Sequence, residues 1–80
     1  MNSARVHRLA DLPVGRRARV VGIEGADEVT MRLLEMGLTP GVEIAVVGRA
    51  PLGDPLELEV RGYRLSIRKS EAARVEIEPL

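Results

Sequence analysis

The stretch LELEVRGYRLSI, Leu56 to Ile67, constrains the fold more than any other part of the chain. Leu56, Leu58 and Val60 alternate strictly with glutamates, and beyond Arg61 and Gly62 the residues Tyr63, Leu65 and Ile67 alternate with Arg64 and Ser66. Apolar side chains at every second position are the signature of a strand with one buried face, and a two-residue link ending in glycine is hairpin chemistry. In this register Glu59 faces Arg64, with Glu57 diagonal to Arg64 and Arg68, so the outer face is charge-complementary.

The same period recurs elsewhere. RRARVVGI, Arg16 to Ile23, alternates Ala18 and Val20 with Arg17 and Arg19 behind a Pro13–Gly15 turn, and Gly22 interrupts it as at a bulge. VEIAVVG, Val42 to Gly48, and RVEIE, Arg74 to Glu78, complete five strands. One segment breaks the pattern. DEVTMRLLEM, residues 27–36, has Asp27 as N-cap, Glu28 in the first turn, and Val29, Leu33 and Met36 on one helical face. Gly37 is placed as the left-handed stop, with Leu38 folding back on Leu33 or Leu34, and Pro40–Gly41 suits a type II turn. Gly53-Asp54-Pro55 forms a further loop, and Ser70 is the expected cap of a single helical turn. The expectation is a mostly β, small five-stranded barrel with one short inserted α-helix, a single domain over residues 9–78 behind a loose leader, 1–8.

Catalytic equipment is sparse. His7 is the sole imidazole, there is no cysteine, and hydroxyl side chains are few, so no nucleophile–base pair suggests itself. Gly53-Asp54-Pro55 lacks the lysine and serine or threonine of a phosphate-binding loop. Glu24, Asp27 and Glu28 read as a solvated acidic helix start rather than a cation site, and His7 as a terminal histidine. No enzyme activity, cofactor or metal site is expected. No apolar run approaches the roughly 20 residues of a membrane span. Twelve basic residues balance twelve acidic ones, although residues 1–23 carry five arginines against Asp11 alone. A basic strip is therefore local, without the broad positive field of a nucleic-acid binder.

The ordered motifs Arg32-Leu33, Met36-Gly37, Pro40-Gly41, Gly53-Asp54-Pro55, Arg68 and Glu71-Ala72, with LADLPVGRRARV in front, resemble the FeoA family of bacterial ferrous-iron transport proteins over about Leu9 to Ile77. The leader MNSARVHR and Ser66, where the family usually has a small apolar residue, depart from its pattern. The resemblance implies an SH3-like barrel and a cytoplasmic accessory role beside FeoB, a large membrane protein with a GTP-binding domain. It also directs attention to a partner-binding set of Met31, Arg32, Leu34 and Leu38. Met31 and Leu34 lie off the inward helical face and form an apolar patch if exposed. The plainer alternative buries both and uses Arg32 in a structural ion pair. Gly37, Pro40, Gly41, Gly53, Asp54 and Pro55 are assigned to structural corners. Two other readings stand beside this one: an SH3-like nucleic-acid-binding module, disfavoured by neutral charge and a single aromatic residue, and a free-standing repressor-type domain of a metal sensor. A strand edge or the Met31 patch offers a route to weak self-association.

Overall fold

The computed structural model describes residues 6–80, so Arg5 and most of the leader expected to be loose lie outside the described residues. Six strands form one antiparallel sheet: β1 (His7–Arg8), β2 (Arg17–Ile23), β3 (Glu43–Arg49), β4 (Leu56–Val60), β5 (Tyr63–Ile67) and β6 (Val75–Pro79), in the order β1-β6-β2-β3-β4-β5. Two helices interrupt them, α1 (Glu28–Glu35) and the single turn α2 (Lys69–Ala72). The mostly β character and the inserted helix match expectation, but among the described residues the strand count is six. The extra strand comes from the supposed leader: His7 pairs with Ile77 and Arg8 with Glu76 along the outer edge of β6.

The hairpin has the expected register, Glu59 opposite Arg64 and Leu58 opposite Leu65. Arg61 and Gly62 both take positive φ, 51° and 86°, as a type I′ turn requires. Gly22 marks a register shift of β2 against β6, and Gly48 a second one of β3 against β4. Such bulges sharpen the twist that curls the sheet. They let it enclose one aliphatic core, in which Val20, Ile44, Val46, Leu58, Val60 and Val75 are buried with Leu9 from a short 3-10 turn, Leu9–Asp11.

Asp27 caps α1, its Oδ1 accepting from the Thr30 backbone N–H at 3.2 Å. The far end is a Schellman stop: the Gly37 N–H donates to the Leu34 carbonyl and the Leu38 N–H to the Leu33 carbonyl, with Gly37 at φ 107°. The turn follows directly, with the Val42 N–H donating to the Thr39 carbonyl and Gly41 at φ 93°. Gly41 also donates to the Val20 carbonyl at 2.7 Å, so the corner is tied to β2.

The cap of α2 differs from expectation. Ser70 is already inside the helix, whose N-cap is Arg68. The Lys69 N–H instead donates to Asp54 Oδ1 at 2.9 Å, and the Arg68 N–H to Glu71 Oε1 at 2.9 Å. An acceptor delivered from the Gly53–Pro55 loop thus takes the role expected of the local serine.

Candidate partner-binding surface

Helix α1 sets the surface, because its two ends are held and one side is sunk in the core. Thr30 and Leu33 face inward; Val29, Leu34 and Met36 flank them, half-buried. The candidate residues then part company. Met31 is 58% exposed, and Leu34, three residues further along the helix, is half-buried.

Leu38 does not share this exposure. The Schellman fold-back that was expected drives its side chain into the core, leaving 0% exposed. Arg32 points from α1 toward α2, where its guanidinium forms an ion pair with Glu71, whose side chain is 11% exposed. Arg32 therefore links the two helices while its side chain stays 57% exposed.

Between α1 and α2 runs a groove of about 620 Å³, whose walls include Arg32, Met36, Pro55, Ile67, Arg68 and Glu71. Of these, Met36 and Ile67 were expected to face inward; Met36 is half-buried and Ile67 only 2% exposed. A signal for Glu71 was present, since a carboxylate beside Ala72 and shortly before Val75 sits in an inward-facing run and needs a partner. Tyr63 was expected inward; it lies on that face but at its rim, 44% exposed, with its hydroxyl donating to the Met36 carbonyl at 2.6 Å.

Acid–base pairs account for most of the arginines near the N-terminus. Arg17 lies 3.1 Å from Glu43, Arg19 lies 3.7 Å from Glu43 and 3.5 Å from Glu78, and Arg8 lies 3.6 Å from both Glu24 and Glu76. The supposed basic strip is thus largely neutralised across β1, β6, β2 and β3. At the start of α1, Arg74 donates to both oxygens of Asp27, at 2.6 and 2.8 Å. Those bonds, with the Thr30 N–H, hold the Asp27 carboxyl well below the ordinary carboxylate range. Among the described residues, no three histidine, cysteine or acidic side chains come together as a metal site, and no helix is long and apolar enough to cross a membrane.

A family model, the FeoA domain, matches residues 7–79, beginning at β1. A fusion of Fe(2+) transport protein A with the Fe(2+) transporter FeoB from Porphyromonas gingivalis is 41% identical over 71 residues; the match covers 89% of this chain and 8% of that protein's length. A FeoA-like protein from Clostridium acetobutylicum is 37% identical with a TM-score of 0.89, over 98% of this chain and 91% of that one. The zinc complex of Stenotrophomonas maltophilia FeoA, described as a procaryotic SH3 domain protein, is 33% identical with a TM-score of 0.77, over 94% and 91% of the two chains. A manganese-dependent transcriptional repressor has the same architecture at 15% identity and a TM-score of 0.86, over 98% of this chain and 38% of that one, a likeness of fold alone. The strand order, the glycine stop of α1 and these relatives agree: the fold is SH3-like, and the chain belongs to the FeoA family.

Proposed function

We propose that this chain is a non-enzymatic accessory protein of bacterial ferrous-iron uptake, acting on the cytoplasmic side by contact with a FeoB-type membrane GTPase transporter. One observation carries the reading: in the Porphyromonas gingivalis relative, a FeoA domain and FeoB share one polypeptide. Covalent linkage raises the effective concentration of one module at the other, which matters only when the two engage.

The proposed contact is the Met31–Leu34 side of α1, an apolar strip on a helix anchored at both ends. Methionine suits such a surface because its side chain is flexible and polarizable. Leu38, fully buried, supports the helix from the core and takes no direct part. The nucleic-acid reading is weaker, since Arg8, Arg17 and Arg19 already lie against carboxylates.

Ferrous-iron uptake by cells lacking the chain tests the role. Wild type restores uptake, whereas Met31→Glu, made at equal level and with an unchanged urea midpoint, does not. Full restoration by Met31→Glu overturns the assigned surface. Uptake that never depended on the chain overturns the role itself.

A further inference from the structure

The sheet ends on one side in β1, only two residues long, and on the other in β5, which has five and among the described residues no neighbour beyond it. β5 carries neither proline nor a bulge to blunt this edge, and its register with β4 is unbroken. Tyr63, Arg64 and Ser66 are exposed and Leu65 is half-buried, so the edge is open to another strand.

The hairpin decides which groups that edge offers. Val60 and Tyr63 flank a two-residue turn and form a hydrogen-bonded pair, and alternation then sends the N–H and C=O of Arg64 and Ser66 outward. The next outward amide, that of Arg68, already donates to Glu71 Oε1 at 2.9 Å. The edge therefore presents two residues, placed symmetrically about Leu65.

We infer that β5 pairs antiparallel with β5 of a second copy of this chain, with the two-fold axis at Leu65. Arg64 of one copy then exchanges both backbone hydrogen bonds with the partner's Ser66, and the outward groups of each strand are satisfied. Centring the pair on Arg64 would set arginine against arginine. Centring it on Ser66 would set Arg64 against the partner's Arg68, whose amide is engaged. The Leu65 centre instead lines up unlike charges, in an outer-face row of Glu57, Ser66, the partner's Arg64 and the partner's Glu59. A hollow of about 310 Å³ bounded by Glu57, Arg64, Leu65 and Ser66 opens at this edge, and the partner's Arg64 enters it over the small serine toward Glu57. Two edges of this length bury less than the roughly 1,200 Å² of a standard interface, so the dimer is weak. It uses neither Met31 nor Leu34, and so stands apart from the transporter reading.

Sedimentation equilibrium and amide exchange of the full chain, from about 10 μM to about 1 mM, test it. The expected result is a monomer–dimer equilibrium in which the Arg64 and Ser66 amides gain about tenfold protection as concentration rises. Ser66→Pro, which removes an outward N–H but no bond to β4, stays monomeric while folding cooperatively. Arg64→Glu and Glu57→Lys each weaken association by about tenfold or more, and mixing the two restores it as a heterodimer, because each altered charge then meets its opposite. Met31→Glu dimerises like wild type. A wild type that stays monomeric at about 1 mM, exchange at Arg64 and Ser66 that ignores concentration, dimers that persist in Ser66→Pro, or charge variants that associate no better together than apart would overturn the inference. The first two readouts use the wild-type chain, so the test stands even if a variant does not fold.

Discussion

The hydroxyl of Tyr63, the only aromatic residue, donates to the carbonyl of Met36 and closes the C-terminal end of α1 at 2.6 Å. Gly37 lies directly beneath it, with φ at 107°, and a Cβ there would collide with that hydroxyl. The helix stop, the hairpin turn and the sole aromatic side chain therefore form one joint.

Gly37→Ala is expected to destabilise by about 2–3 kcal/mol, combining left-handed strain of about 1–2 with loss of one hydrogen bond worth about 1. Tyr63→Phe alone should cost about 1 kcal/mol. In the Tyr63→Phe background the alanine should cost less, because the collision is gone. Urea midpoints of the two single variants and the double variant measure this, and strictly additive effects would refute the joint.

Leu38 and Met31 separate core from surface. Leu38→Ala and Leu33→Ala should each cost about 2–5 kcal/mol, since both side chains are fully buried. Met31→Glu should stay within about 0.5 kcal/mol. A loss at Met31 as large as that at Leu38 would place Met31 in the core.

The Asp27–Arg74 pair gives a pH dependence with a defined sign. Asp27 is lowered from its ordinary value of 3.8, first by the Arg74 hydrogen bonds and then by the Thr30 N–H. A carboxyl depressed in the folded state contributes stability above its unfolded value and loses it progressively as pH falls below that value. Wild type should therefore exceed Asp27→Asn in stability at pH 7, with the gap narrowing as pH falls below about 4. Urea midpoints at pH 7, 4 and 3 check this; a gap that widens on acidification contradicts it.

Asp54→Ala should fray α2, raising hydrogen exchange at the Lys69 amide and costing about 1 kcal/mol, as the loss of a helix cap does. Asp54→Asn, which keeps an acceptor oxygen, should recover much of that. Unchanged exchange in the alanine variant would show that the amide relies on another acceptor.

These positions also show what was legible in the sequence. Alternation and turn residues are local signals, so the hairpin register, the Gly22 bulge, the Asp27 cap and the Gly37 stop were readable from spacing alone. His7 and Arg8 were not, because two residues have no period and become a strand only by pairing with β6. Ser70 misled for a similar reason: local capping preference lost to Asp54, fifteen residues from Lys69 in sequence. Leu38 is absent from the surface because the Schellman geometry that folds it back also buries it. The groove was invisible because Met36, Pro55, Ile67 and Arg68 meet only when the hairpin and both helices pack together.

Affinity purification of the tagged chain from detergent-solubilised native cells, beside Met31→Glu, tests the proposed function most directly. The expected result is recovery of a FeoB-type membrane GTPase with wild type and its loss with the folded variant. Recovery of ribosomal components or a DNA-binding repressor in its place, or of no membrane GTPase even after crosslinking in intact cells, would contradict it.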